Sequence, residues 1–183
     1  MILFVNSCIR KESRTLDLAN ELLKKLGGKY EEVNLLKEDI KPLDTQSLEL
    51  RNEIIESGNY DHPMCKYAKQ FAAADTIVIA APYWDLNFPA VLKTYLEQVY
   101  VTGIVSRYNE KGIPEGLCKA NKLYVVTTAG GPFLPEYSYN YVKDLTTKAF
   151  GVKETKLVVA EMLDIQGMDV DKIMREAKAN IEI

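Results

Sequence analysis

Five short apolar runs, each followed by a segment of helical character, constrain this chain more than anything else in it. Ile2-Leu-Phe-Val5 stops at Asn6-Ser7 and reads as a buried strand. Arg14 to Leu26 follows, with Leu16, Ala19, Leu22, Leu23 and Leu26 at helical spacing and Gly27-Gly28 closing it. Tyr30 to Leu36 is the second strand. Lys37 to His62 is polar and irregular, with a helical piece at Leu48 to Glu56, and Met64 to Ala74 is helical. The third strand, Ile77 to Ala81, leads through a loop to a helix over Ala90 to Val101, and Val105 to Leu117 reads as loop. Leu123 to Thr128 and Lys156 to Ala160 complete the strands, with helices over Tyr139 to Phe150 and Val170 to Ile181. Such alternation implies an α/β fold: a parallel sheet with helices on both faces, joined by right-handed connections.

A chain of 183 residues with 47% hydrophobic content can bury the core that such a sheet needs within one domain, 1–183. A formal net charge of -3 argues against nucleic-acid or anionic-membrane partners. No apolar run approaches the ~20 residues of a membrane span, and Met1 to Val5 is too short for a signal peptide. A soluble cytoplasmic protein is expected. Cys8, Cys65 and Cys118 are widely spaced and odd in number, and His62 is the only histidine, so structural zinc and a disulfide framework are not expected. His62, before Pro63, reads as a surface or capping residue.

Five strands without a full dinucleotide fingerprint fit the order 2-1-3-4-5, whose ligand crevice lies at the ends of strands one and three. Three loops then converge. The first, Ser7 to Thr15, enters a helix with Ser13 as N-cap. Its free backbone N–H groups near Arg14 and Thr15 form a site suited to phosphate, with hydroxyls from Ser7, Ser13 and Thr15 and positive charge from Arg10, Lys11 and Arg14. An ordinary capped helix with solvated basic residues carries the same pattern, and no Walker loop is present. The second loop, Pro82-Tyr83-Trp84-Asp85-Leu86-Asn87, offers aromatic faces, small polar groups and the Asp85 and Leu86 amides. That combination suits a flat, heteroatom-edged ligand such as a flavin; core anchoring by Trp84 and Phe88 is the plainer alternative. The third loop, Thr128-Ala129-Gly130-Gly131, lets backbone approach a ligand closely, though a simple turn uses the same residues.

In order along nearly the whole chain, these motifs resemble the flavodoxin-like NAD(P)H:quinone oxidoreductases, most closely the FMN-dependent azoreductase group. Pro82-Tyr-Trp-Asp-Leu-Asn-Phe-Pro89 with Ala90 to Tyr95 is similar to that group's Pro-Met-Tyr-Asn-Phe-Asn-x-Pro loop and helix. Gly103-Ile-Val-Ser-Arg-Tyr-Asn-Glu-Lys-Gly112 resembles its Gly-x-x-Phe-Arg-Tyr-x-x-x-Gly segment. Gly116-Leu117, Thr128 to Gly131, Gly151-Val152 and Ala160-Glu161 continue in register, and the likeness weakens between about Leu36 and Met64.

The resemblance implies a flavodoxin-like three-layer sandwich, an FMN cofactor, NADH or NADPH as co-substrate, a quinone, azo compound or other electron-poor aromatic as acceptor, and a homodimer. It also implies residue roles. Ser7, Ser13, Arg14 and Thr15 would hold the phosphate. Tyr83, Trp84, Asp85 and Leu86 would line the isoalloxazine, with Pro82 and Asn87 also among the cofactor-binding residues, and Thr128, Ala129, Gly130 and Gly131 would border its pyrimidine side. Chemistry carried by a flavin requires no side-chain nucleophile or metal. Asp85 stands where the group commonly has asparagine, Ser106 where it has phenylalanine, and Phe133 where a histidine follows Gly-Gly; the phosphate loop and middle connection are shorter. Ser106 would widen the acceptor pocket. A flavodoxin-type electron carrier and a non-catalytic FMN-binding module are the alternatives.

Overall fold

A computed structural model describes residues 1–183. Five strands form one sheet in the order β2-β1-β3-β6-β7, every pair parallel: β1 (Ile2–Asn6), β2 (Tyr30–Asn34), β3 (Thr76–Ala80), β6 (Lys122–Thr128) and β7 (Glu154–Ala160). This is the flavodoxin-like order expected from the sequence. The register sets Asn6 beside Ala80 and Ala80 beside Val126, so the carboxyl ends of the three central strands open at one edge.

The period of two along each strand sends alternate residues to opposite faces. Leu3, Val5, Ile77, Ile79, Leu123 and Val125 enter the larger core, where α3 (Lys66–Ala73) and α4 (Ala90–Val99) supply Phe71, Leu92, Tyr95 and Leu96. α2 (Thr45–Ser57) and α5 (Tyr139–Asp144) add Ile54 and Val142. Phe4, Val78, Ala80, Tyr124 and Val126 enter the smaller core, roofed by Leu18, Leu22 and Leu23 of α1 (Arg14–Leu26) and Met174 of α6 (Val170–Ala179). Each fully buried side chain of this size contributes about 1.5–3 kcal/mol. The larger aliphatic and aromatic side chains therefore fix which face each helix covers.

Local signals set most boundaries. The Ser13 hydroxyl accepts from the Leu16 N–H at 3.2 Å and starts α1. Asp44 and Ser47 cap one another's backbone, so α2 begins three residues before the expected Leu48. Pro63–Cys65 forms a 3-10 turn ahead of α3, and His62 Nδ1 accepts from the Met64 N–H, the capping role expected of it.

Two segments differ from expectation. Val105 to Leu117 is not plain loop: β4 (Ser106–Tyr108) and β5 (Pro114–Gly116) pair antiparallel as a small hairpin, with Asn109 Oδ1 accepting from the Lys111 and Ile113 N–H groups at its tip. Strands of three residues are too short to show alternation. Tyr139 to Phe150 is α-helical only to Asp144 and then widens to a π-helical stretch over Leu145–Ala149, where the Thr146 hydroxyl donates to the Val142 carbonyl.

Candidate functional site: the cavity at the strand ends

Ser7 leaves β1 with both its N–H and its hydroxyl donated to the Ala80 carbonyl, at 3.0 and 2.8 Å. It is fully buried and does not line the cavity. Its hydroxyl ties the first loop to β3, so the phosphate role expected of Ser7 has no geometric support. Cys8 lies beside it, and burial pushes its thiol up to about 11, leaving it protonated and unreactive near neutrality. From Ser13 onward the loop becomes α1. The Arg14 and Thr15 N–H groups have no partner within the protein, as the first turn of a helix requires. The helix end adds about half a positive charge there. Thr15 Oγ1 meets Thr128 Oγ1 at 2.6 Å, which joins the first loop to the end of β6.

The second loop is a tight reversal. Trp84 and Asn87 exchange N–H···O bonds of 2.7 and 2.8 Å around Asp85 and Leu86. Both central residues have positive φ, 50° and 67°. A turn of this hand normally takes glycine or asparagine, and each non-glycine residue held there costs on the order of 1 kcal/mol. The geometry leaves the Asp85 and Leu86 N–H groups unpartnered. Asn87 Oδ1 accepts from the Phe88 N–H at 2.8 Å, so that side chain braces the loop. Tyr83 packs edge-on against Phe133, centroids 4.9 Å apart, and its buried hydroxyl has no partner. The Arg10 guanidinium stands 6.0 Å from the Trp84 ring centre.

The third loop carries Ala129, Gly130 and Gly131 past the end of β6. A fourth segment, missed in the sequence, lies against it. After β7 the chain turns at Met162, with φ 65°, and runs back over the third loop. Met162, Leu163 and Asp164 donate their N–H groups to the carbonyls of Gly131, Ala129 and Gly130 at 3.1, 3.2 and 2.8 Å. A Cβ on Gly130 would stand 2.4 Å from Asp164 Oδ2, so a larger residue there would displace the Asp164 carboxylate. Asp164 Oδ1 in turn accepts from Arg14 Nη1 at 2.8 Å. Strand five neighbours strand four in the expected order, and that position is the one signal by which the sequence could have found this segment.

Together these segments enclose a cavity of about 380 Å³. Of the residues expected at a ligand site, Ser13, Arg14, Thr15, Pro82, Tyr83, Trp84, Thr128, Ala129 and Gly130 line it. Arg10, Glu12, Leu163 and Asp164 complete the wall. Ser7 and Gly131 stay outside. Asp85 and Asn87 face a second, more open hollow with Phe88, Lys93, Tyr137 and Tyr141, on the other side of the Trp84–Asn87 turn. Leu86 is exposed at its tip. Ser106 is buried, with its hydroxyl unpartnered, and lines neither hollow, so it widens no pocket here. No group of histidine, cysteine and acidic side chains has metal-binding geometry.

Comparison with known proteins follows the same lines. A family model described as the flavodoxin-like fold matches residues 1–182. An FMN-dependent NADH:quinone oxidoreductase of Coprothermobacter proteolyticus is 37% identical over 182 residues, 94% of this chain and 90% of the relative. One from Clostridium beijerinckii is 40% identical over 152 residues, 79% and 74% of the two chains. The crystal structure of an FMN-dependent NADH-azoreductase from Bacillus anthracis, in complex with FMN, superposes with a TM-score of 0.81 over 97% of this chain and 93% of its own; at 22% identity it attests the fold. The chain belongs to the flavodoxin-like family, and within it to the group of these FMN-dependent NADH:quinone oxidoreductases.

Proposed function

We propose that this chain is an FMN-dependent NADH:quinone oxidoreductase acting through a single FMN-binding domain over residues 1–183. The observation that carries the reading is a cavity with unpartnered backbone amides at one end and an aromatic wall that runs into a turn with two more. The Arg14 and Thr15 N–H groups lie at one end and those of Asp85 and Leu86 beside the other, with aromatic side chains between. FMN has that polarity: an anionic phosphate, a flat apolar ring and a polar ring edge. The volume of about 380 Å³ lies within the range of about 300–1,000 Å³ usual for small-molecule sites.

In this assignment the Arg14 and Thr15 amides, the Ser13 hydroxyl and the Arg14 guanidinium hold the phosphate. Tyr83 and Trp84, with Pro82 behind them, wall the ring and exclude water from it. The Asp85 and Leu86 amides serve its edge, and Thr128, Ala129 and Gly130 border its pyrimidine side, with Gly131 supporting that loop. Ser7 and Asn87 hold their loops in place. Bound FMN supplies the redox chemistry, taking a hydride from a nicotinamide nucleotide and passing two electrons to an electron-poor aromatic acceptor. Quinones are the acceptors in the relatives' names and azo compounds in the structural neighbours'. NADH is the donor of choice on the same ground, with NADPH the alternative.

We assign the exposed Tyr137 and Tyr141, which line the second hollow, together with the exposed Leu86 and Leu134 nearby in sequence, to contact with a second copy in a homodimer. No helix is long and apolar enough to cross a membrane, and we place the protein in the cytoplasm.

The test is the visible spectrum of the purified protein, before and after each nucleotide under anaerobic conditions. The expected result is a flavin spectrum bleached by NADH and restored by a quinone. Absence of flavin, with no uptake of added FMN, overturns the reading. A flavin that only a separate reductase can bleach makes the chain a carrier. Light scattering of the eluting protein at twice the 20.7 kDa chain mass supports the dimer.

A further inference from the structure

Four charged side chains line the cavity, and their formal charges cancel: Arg10 and Arg14 against Glu12 and Asp164. A phosphate is therefore not held there by bulk positive charge. Arg10 is engaged at the ring end, over Trp84. Arg14 is the cation at the α1 end, and it is paired with a carboxylate.

The position of that carboxylate is set by backbone. Three N–H···O bonds from Met162, Leu163 and Asp164 fasten the segment to the third loop, and Asp164 Oδ2 lies against the bare Cα of Gly130. Arg14 reaches this carboxylate from α1, and it is gripped at one nitrogen alone. Nη1 donates to Asp164 Oδ1 at 2.8 Å and to the Leu163 carbonyl at 3.4 Å; Nε and Nη2 have no partner. A guanidinium offers five N–H donors in a fixed plane, so a grip on Nη1 leaves the donors of Nε and Nη2 free.

We propose that Asp164 is a positioning residue for phosphate binding: it holds the Arg14 guanidinium beside the free amides of α1 so that its remaining N–H groups meet a phosphate monoester. The proposal rests on the flavin reading of this cavity. An unrestrained arginine loses much rotamer freedom when a ligand orders it, and a side chain fixed beforehand loses less. The opposing effect is repulsion between the carboxylate and the phosphate. The side chains of the pair are 46% and 67% exposed, so that repulsion is screened by water and salt. The hydrogen-bond geometry is short-ranged and is not screened in the same way, and it wins.

The experiment titrates the full chain, stripped of flavin, with FMN and with riboflavin, which lacks the phosphate, and reads flavin fluorescence. The unaltered protein is expected to bind FMN more tightly than riboflavin. Asp164→Asn is expected to weaken FMN by about two- to fivefold, the scale of an exposed ion pair, and to leave riboflavin unchanged. Asp164→Glu restores part of the loss. In an Arg14→Ala background Asp164→Asn has no further effect on FMN. Tighter FMN binding by Asp164→Asn, no change in FMN affinity, equal losses for both ligands, or a loss that persists without Arg14 each overturns the proposal. An unaltered protein that binds riboflavin as tightly as FMN overturns it too, since no phosphate is then held; a protein that binds neither flavin overturns instead the flavin reading beneath it.

Discussion

Thr15 Oγ1 and Thr128 Oγ1 meet at 2.6 Å, and this one hydroxyl contact joins the first turn of α1 to the end of β6. Thr15 is buried, and Thr128 lines the cavity. Thr15→Val keeps the shape and removes the bond, leaving the Thr128 hydroxyl short of a partner. The expected cost is about 1 kcal/mol of stability, read as a lower urea midpoint with an unchanged slope. FMN affinity should fall as well, because two walls of the cavity are no longer in register.

Ser13→Asp separates capping from phosphate binding. Aspartate caps helices as well as serine does, so α1 should form and the melting temperature should hold within a few degrees. The new carboxylate would face a phosphate at the Arg14 and Thr15 amides. Two negative charges that close cost several kcal/mol at an effective dielectric near 20. FMN affinity should drop by at least about tenfold, riboflavin affinity far less. Equal affinities before and after the substitution would place the phosphate elsewhere.

Leu86 sits at φ 67° with half of its side chain exposed. Glycine adopts that conformation freely, so Leu86→Gly should raise stability by about 0.5–1 kcal/mol even though it also loosens the unfolded chain. Leu86→Val, β-branched at the same φ, should lower it. Denaturant midpoints of the two variants should move in opposite directions. If both fall, the turn is not strained as described.

The cysteines give a prediction in pH. Burial raises the Cys8 thiol from 9.0 to about 11 and the Cys118 thiol from 9.0 to about 12. A folded-state value raised above the unfolded one contributes stability that is complete below pH 9 and is lost as the pH climbs toward 11–12. The native protein should therefore leave both thiols largely unmodified by an aromatic disulfide reagent at pH 8, and the unfolded protein should react at all three cysteines. Its urea midpoint should fall between pH 9 and 11.

The sheet was legible because each central strand is a short apolar run closed by polar residues or proline, and because Ser13, Gly27 and the apolar positions of α1 signal that helix at both ends. The hairpin was not, since Ser106–Tyr108 and Pro114–Gly116 are three residues each and their pairing is a tertiary choice. At the site, Ser13, Arg14, Thr15, Tyr83 and Trp84 could be placed because a helix N-terminus and a strand end have fixed positions in this topology. Ser7 illustrates the limit. Its type suits phosphate, but the register of β1 against β3 turns its hydroxyl onto Ala80. Asp164 escaped for a related reason: nothing in Glu161-Met-Leu-Asp164 marks it, and its place comes from a ladder of three backbone bonds to the third loop.

That ladder has a consequence for biosynthesis. A chain made from its amino end has α1 and the Trp84–Asn87 turn early, but the wall that holds Arg14 exists only once residue 164 of 183 has been added. The contact spans 150 positions, so it closes after the local helices and strands have formed. Until that point this side of the cavity has no wall, so its closure is a late step in the assembly of the site.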